Sequence, residues 1–250
     1  MLGDADRATY AWQIDVAGFG ERGQARLRDA TALVSRVGGL GGPLAMSLTA
    51  AGVGKIVLAH GGELREDDLN RQTLMAREWI GRPRVDCAAE TLRRFKPEIE
   101  VVAVDANIDE ENVVDLVGGV DIVFDCAPMF EERFLMNREC ERRGIPLIDS
   151  AMYSMQGQVT PIIPGKTPCL ACLYPEVPPH WKRRFPVIGA VSALVAQIAA
   201  LEGIKMLAGF GEVAGGQMIA IDAERMNFDK IKLAPRREDC EVCGVADIAP

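Results

Sequence analysis

Residues 30–42 read ATALVSRVGGLGG, and this stretch decides the fold of the chain. It begins with an apolar run that predicts a buried β-strand, continues into a glycine-rich turn and then predicts a helix. A strand, a glycine-rich turn and a helix in this order form the phosphate-binding turn of Rossmann-like folds. Gly38 and Gly41 occupy the second and third glycine positions of that turn, whereas Arg36 occupies the first. The stretch therefore predicts a Rossmann-like fold whose nucleotide turn is altered.

Strand and helix signals alternate through the first 150 residues, which predicts a mostly parallel sheet with helices on both faces. The apolar runs are nearly continuous, as is typical of buried parallel strands. The predicted strands are residues 31–35, 55–59, 100–104, 121–125 and 146–149. The predicted helices are residues 43–51, 79–95, 110–117 and 131–143.

The last third of the chain has a different pattern. Residues 157–165, GQVTPIIPG, predict a strand and a loop, and residues 215–233 predict an antiparallel hairpin. Between them, residues 172–186 contain four prolines and exclude regular structure. A long apolar helix is predicted at residues 187–207, which we assign to the core or to an interface. The fold class is therefore α/β, with a C-terminal antiparallel extension of the sheet.

Four of the seven cysteines form two C-x-x-C pairs, Cys169 with Cys172 and Cys240 with Cys243. Two such pairs are a common way to give Zn²⁺ four thiolates in tetrahedral geometry. A closed site of this kind stabilises a fold, and here it would staple the C-terminal tail to the sheet edge. Four unligated thiols are the alternative, whereas a redox pair would normally open a helix after a strand.

These patterns predict one domain over residues 1–250. Residues 1–150 form its Rossmann-like nucleotide-binding half, and residues 151–250 form a half stapled by the zinc knuckles.

The composition and charge of the chain argue against several classes of function and location. The net charge of −8 argues against non-specific binding of nucleic acid. The helix predicted at 187–207 contains Gln197, Glu202 and Lys205, which argues against a membrane span. The acidic, polar N-terminus is unlike a signal peptide, and an odd number of cysteines with two C-x-x-C pairs favours a reducing compartment. We therefore expect a cytoplasmic protein without a membrane partner.

Nine sequence blocks occur in the order found in one family. They are VAGFGERGQARL, VGGLGGPLAMSLTAAGVGKIVL, LNRQTL, IGRPRVDCAAETLRRFKPEIEV, DIVFDC, GQVTPIIPG, PCLACLYPE, IGAVSALVAQIAALEGIKML and DCEVCG. Through them the chain resembles the ThiF/MoeB/HesA family, bacterial relatives of the ubiquitin-activating enzymes. The resemblance implies a nucleotide domain, a dimer, a structural zinc on the four cysteines and a groove for a ubiquitin-like or sulfur-carrier protein. Members typically use Mg-ATP to adenylate the C-terminal glycine of that carrier.

The chain departs from the family pattern at positions that face the nucleotide. Arg36 replaces the first turn glycine, where backbone must approach the triphosphate closely. After the second strand, His60 and Gly62 stand where the family has an acidic pair for the ribose and nearby contacts. In the N-L-x-R-Q block, Asp68 replaces the phosphate-facing asparagine.

Three further departures concern cations. Arg84 stands in place of the lysine that neutralises phosphate, and Pro128 in place of the magnesium-associated aspartate. Trp12 replaces the arginine that the family extends across the dimer to the phosphates. In addition, residues 180–189 lack the nucleophilic cysteine that some relatives have.

Seven positions nevertheless predict an anionic ligand, because a glycine turn, a helix start and several cations converge on one crevice. They are Arg36, Gly38, Gly39, Gly41, Arg71, Gln72 and Arg84. The alternative is that the arginines pair with Asp67, Asp68 or Asp125.

Two hypotheses about function follow. The first is a non-catalytic or strongly altered family member, with ATP and magnesium doubtful, that binds a carrier protein, a partner subunit or an anionic ligand. The second is an active carrier-protein adenylyltransferase with a rearranged site. An NAD-dependent redox enzyme is disfavoured, because the ribose acid is absent and His60 and His180 are the only histidines. In each case we expect a homodimer, or a heterodimer with an intact paralogue.

Overall fold

The computed structural model describes residues 2–177 and 184–244. Eight strands form one sheet in the order β3-β2-β1-β4-β5-β6-β7-β8. The first five strands pair in parallel, and the pairs β5–β6, β6–β7 and β7–β8 are antiparallel. The predicted α/β class, with a mostly parallel sheet and a C-terminal antiparallel extension, is confirmed.

β1, β2 and β4 are almost entirely buried, whereas β8, at the antiparallel edge of the sheet, is exposed along its whole length. The bounds of the strands are β1 Thr31–Ser35, β2 Lys55–Ala59, β3 Glu100–Val104, β4 Ile122–Asp125, β5 Leu147–Tyr153, β6 Gln156–Ile162, β7 Gln217–Asp222 and β8 Asn227–Lys232. The strand predicted at 146–149 is longer in the structure, because β5 continues past the parallel sheet to pair with β6. A two-residue turn joins β5 and β6, and Ser154 adopts a left-handed φ of 56° there.

The helices lie on the two faces of the sheet, and each face has its own apolar core. Their bounds are α1 Asp4–Thr9, α2 Ala11–Ile14, α3 Gly20–Asp29, α4 Gly41–Ala51, α5 Arg84–Phe95, α6 Val113–Gly118, α7 Phe130–Arg143, α8 Leu170–Leu173 and α9 Gly189–Ala208. The core between the sheet and α4, α5 and α9 is the larger one. The other core packs α6 and α7 on the sheet.

The helix predicted at residues 79–95 is wrong at its start. Residues Arg77–Trp79 form a separate 3-10 turn, and Gly81 has a φ of 80°, which breaks the chain away from helical geometry. Pro83 disfavours helical geometry in the preceding residue, Arg82, so the helix begins only at Arg84. The helices α1 to α3 were not predicted, because α1 and α2 are only six and four residues long and α3 is a mostly polar segment.

α9 is a core helix of this fold. Within residues 2–177 and 184–244 it is the helix long and apolar enough to cross a membrane. It packs instead against α3, α4 and the middle of the sheet. A Cβ on Gly203 would lie 2.2 Å from a ring carbon of Phe124, so the helix approaches β4 closely. Its outer face includes Leu201, which is 53% exposed.

The order of the strands shows where a ligand-binding crevice lies, between β1 and β4. β1 and β4 are neighbours in the sheet, while the chain runs from β1 to β2 on one side and from β4 to β5 on the other. Ligands of open α/β sheets bind at this kind of switch point, beyond the carboxyl ends of the strands.

Candidate functional site

The turn after β1 keeps the backbone geometry of a glycine turn although its first residue is arginine. Arg36 has a φ of 64°, in the left-handed region, which costs a non-glycine residue about 1 kcal/mol. The carbonyl of Arg36 accepts the N–H of Gly38 at 2.6 Å. A Cβ on Gly41 would lie 2.5 Å from that same carbonyl oxygen, so position 41 requires glycine.

The side chain of Arg36 crosses the crevice to α7. Its Nε donates to Oε2 of Glu132 at 2.7 Å, and its Nη2 donates to Oε1 of the same carboxylate. The side chains of Arg36 and Glu132 are only 12% and 9% exposed. The proposed pairing of Arg36 with Asp67, Asp68 or Asp125 is therefore wrong, because its partner is Glu132. Nothing in the sequence around Glu132 indicates that it pairs with Arg36.

Asp68 organises the second group of cations. It is 1% exposed and accepts hydrogen bonds from Nε2 of Gln72 at 2.7 Å and from Nη2 of Arg71 at 3.2 Å. Nη1 of Arg84 lies 3.3 Å from its other carboxyl oxygen. For Arg71 and Arg84 the structure thus bears out the alternative of pairing with Asp68. The carboxylate fixes the positions of both arginines and offsets part of their charge.

These groups surround a cavity of about 650 Å³. Six of the seven residues predicted from the sequence line it, namely Arg36, Gly38, Gly39, Arg71, Gln72 and Arg84. Gly41 does not line it and is buried at the start of α4. Arg65, Arg133 and Arg184 also line the cavity, and Asp67 is the one carboxylate among the lining residues that the structure describes. The cavity wall is therefore strongly cationic.

After β2, His60 and Gly62 replace the family's acidic pair, and neither residue offers a carboxylate. His60 is buried and lines the cavity. The backbone N–H of Gly62 points to Oδ1 of Asp105 at 3.3 Å, and the N–H of Gly61 donates to Oδ1 of Asn107 at 2.9 Å. Side chains that follow β3 thus satisfy the backbone at this position.

Pro128 and Trp12, two of the departures, lie in different surroundings. Pro128 lines the cavity in the loop between β4 and α7. Trp12 is on α2 and is 92% exposed, so it is available to a molecule outside this chain. His180, the other histidine, lies outside the described residues, as do residues 180–183 of the segment without a cysteine.

A second cavity of about 550 Å³ lies against β5, β6 and β7. Its lining includes Tyr153, Gln158, Tyr174, Asp222 and Asp229. Three residues, Arg133, Ala151 and Met152, line both cavities. The two cavities are therefore neighbours, and Arg133 is part of the wall between them.

The two cysteine pairs come together as predicted. The four sulfur atoms of Cys169, Cys172, Cys240 and Cys243 lie within 4.8 Å of one another. Sγ of Cys169 is 3.7 Å from that of Cys240, close to the edge of about 3.8 Å in a tetrahedron with Zn–S bonds of about 2.3 Å. On α7, Oδ1 of Asn137 accepts the N–H of Leu170 at 2.9 Å and anchors the first knuckle. The cluster could bind zinc and would then tie the C-terminal segment to α7.

A Rossmann-like crevice, an antiparallel extension and a four-cysteine cluster together define a class of α/β proteins with a glycine-rich turn and a cysteine cluster that could bind a metal ion. Within it, this chain belongs to the ThiF family, whose model matches residues 10–242.

Known proteins resemble this chain over most of their own length. "Protein HesA, heterocyst" of Trichormus variabilis is 46% identical over 94% of this chain and 88% of its own. "SAMP-activating enzyme E1" of Haloferax volcanii is 34% identical over 94% of this chain and 88% of its own. The crystal structure of E. coli MccB with succinimide has a TM-score of 0.84 at 21% identity, covers 98% of this chain and 75% of MccB, and shares its fold.

Proposed function

We propose that this chain is a ThiF-family protein that does not adenylate a carrier efficiently and acts by binding. Its ligand is a ubiquitin-like or sulfur-carrier protein, a partner subunit or an anion held in the cationic cavity. The observation that carries this proposal is the ion pair of Arg36 and Glu132 across the crevice, at the position where the resemblance puts the triphosphate.

Transfer of an adenylyl group depends on positioning and on neutralising charge. The residues of this cavity oppose both the positioning of a triphosphate and the neutralisation of its charge. Glu132 brings a carboxylate to the turn, Asp68 offsets the charge of Arg71 and Arg84, and Pro128 has no side-chain oxygen for a hard cation. These features support weak or absent binding of Mg-ATP.

The same wall supports an anionic ligand of another kind. Arg36, Gly38, Gly39, Arg71, Gln72 and Arg84 are its proposed binding residues, and Gly41 supports the turn from below. A helix N-terminus next to arginines attracts phosphate or carboxylate groups. Because the carboxylates of Glu132 and Asp68 compete for these arginines, a ligand with a single acidic group is favoured over a polyphosphate.

The carrier protein would lie against the second cavity, at the antiparallel strands. Support for such a partner comes from the relatives, one of which is named a SAMP-activating enzyme E1 and another, MccB, was crystallised with MccA. We further propose that the chain forms a homodimer, or a heterodimer with an intact paralogue, through the exposed side of α9 and the region of Trp12. Zn²⁺ on the four cysteines would be structural, and the protein would work in the cytoplasm.

An active adenylyltransferase with a rearranged site is the alternative. It is favoured by Arg71, Gln72 and Arg84, which remain together at the cavity, and by relatives such as "Adenylyltransferase and sulfurtransferase MOCS3" of Mus musculus, 36% identical over 94% of this chain and 52% of its own.

ATP–pyrophosphate exchange distinguishes the two functions. Purified protein is assayed with Mg-ATP, alone and with Gly-Gly-tailed carrier proteins encoded beside it, and an active family member serves as the positive control. We expect exchange at the level of the blank together with measurable binding of a carrier. Robust exchange with any carrier would establish the alternative.

A further inference from the structure

Two carboxyl groups lie side by side in the centre of the sheet. Asp125 ends β4, Asp149 lies in β5, and the two are Cα partners in the parallel pair. Register partners on neighbouring parallel strands point to the same face, so both side chains face α7. Both residues are 0% exposed, as is Thr160, the partner of Asp149 on β6. Water therefore does not compensate their charge.

One guanidinium faces this carboxyl pair. Arg133, which is 5% exposed, donates from Nη1 to Oδ1 of Asp149 at 2.9 Å. Its Nε donates to the carbonyl of Ala127 at 2.8 Å, and its Nη2 to the carbonyl of Ser150 at 3.1 Å. Two ionised carboxylates beside one guanidinium would leave a buried net negative charge, which is costly without a second cation.

The other ionisable groups near the pair do not supply that cation. On α7, the carboxylate of Glu132 is paired with Arg36. Burial raises the pKa of the thiols of Cys126 and Cys140, so both are neutral. From β6 and the segment beyond it, Gln158 and Tyr174 face this region, and neither side chain carries a positive charge.

The unused oxygens show where a proton fits. Oδ1 of Asp125 accepts the N–H of Ala127 at 2.9 Å, and Oδ1 of Asp149 accepts from Arg133. The two Oδ2 atoms are both buried, and neither has a hydrogen-bond partner among the described residues. A proton on one of them would give both a hydrogen bond and would balance the charge, as in other paired carboxyls.

We propose that Asp125 and Asp149 bind one shared proton at neutral pH, and that this proton-sharing pair holds Arg133 in the wall between the two cavities. Burial, opposed by Arg133 and reinforced by Asp149, raises the pKa of Asp125 to about 8. Burial also raises the pKa of Asp149, again opposed by Arg133. This inference is independent of whether the cavity binds ATP, an anion or neither.

The sign of the pH dependence follows from the raised pKa. Between the ordinary pKa of about 4 and the raised value, the folded protein retains a proton that the unfolded chain releases. The unfolding equilibrium constant therefore rises with pH in this window, by up to about tenfold per pH unit. Above pH 8 the pair loses its proton, and the contacts of Arg133 rearrange.

Asp125→Asn tests the proposal, because its amide reproduces the protonated carboxyl: Oδ1 still accepts and Nδ2 donates to Asp149. Infrared spectra of the purified protein at pH 7 should contain the carbonyl band of a protonated carboxylic acid. We expect Asp125→Asn to remove this band and Asp115→Asn, at an exposed acid on α6, to leave it. Urea unfolding from pH 5 to pH 9 should lose its proton-linked slope in Asp125→Asn and keep it in Asp115→Asn.

Asp149→Asn is the second variant, should Asp125→Asn fail to fold. It also leaves one carboxylate beside Arg133 and should remove the same band. A wild-type spectrum without the band would overturn the proposal. So would a band that persists in the Asn variants, because the protonated acid would then lie elsewhere.

Discussion

Arg36 and Glu132 form a buried ion pair, with Arg36 Nε 2.7 Å from Glu132 Oε2, across the crevice between the carboxyl ends of β1 and β4. The arginine adopts the left-handed backbone of a glycine turn, and the glutamate is on the helix that faces it. The pair therefore links the two halves of the parallel sheet at the point where ligands of such sheets bind. This contact is the basis of the proposed loss of efficient ATP chemistry.

We expect the buried ion pair to contribute more to the free energy of unfolding than an exposed charge on the same helix does. Glu132→Gln should destabilise the protein by about 3 kcal/mol, because it leaves the guanidinium of Arg36 buried without its counter-charge. Glu131→Gln, at the exposed neighbouring position on α7, should change stability by less than about 0.5 kcal/mol. Urea denaturation of both variants measures this, and equal effects would mean that the pair is not energetically coupled.

Asp68→Asn should strengthen anion binding, because it frees Arg71 and Arg84 from a buried carboxylate. With inorganic phosphate as the probe, we expect a several-fold lower Kd by calorimetry. Asp67→Asn is the control, since it removes the same charge from the cavity rim but releases Arg65 rather than Arg71 and Arg84. If both variants lower the Kd for phosphate equally, the loss of one negative charge would explain the result, and the release of Arg71 and Arg84 would not.

Removal of a cysteine ligand should unfold the C-terminal segment. We expect about one zinc per chain in the freshly purified protein and a clearly lower Tm in Cys240→Ser. Cys87→Ser changes a buried thiol outside the cluster and should keep the metal. Metal analysis of the wild type, Cys240→Ser and Cys87→Ser measures the zinc bound per chain. A wild-type protein with far less than one zinc per chain would contradict the zinc proposal.

The proposed dimer should depend on the outer side of α9. Leu201→Glu places a charge on that side and should shift the mass measured by light scattering from dimer to monomer. Val114 on α6 has similar exposure, 45% against 53% for Leu201, so Val114→Glu is the matched control. A monomeric wild type at micromolar concentration would contradict the dimer, and a dimer unaffected by Leu201→Glu would place the interface elsewhere.

The sequence predicted local features well and long-range pairs poorly. β1, β2 and β3 begin and end at the predicted residues, because buried parallel strands give continuous apolar runs. Glu132 was missed, since it is 96 positions from Arg36 and nothing in its own helix indicates that partner. Asp125 and Asp149 had a usable signal, because each follows an apolar run that predicts a strand, and carboxyl ends of parallel strands meet at one edge.

Calorimetry of Mg-ATP with the wild-type protein separates a binding protein from an active adenylyltransferase. We expect little or no heat of binding at micromolar to millimolar nucleotide. We also expect the double variant Arg36→Gly/Glu132→Ala to gain modest binding without pyrophosphate exchange, because Pro128 still offers the metal no ligand. Micromolar binding of Mg-ATP by the wild type, together with robust pyrophosphate exchange, would contradict this expectation and identify the chain as an active enzyme with a rearranged site.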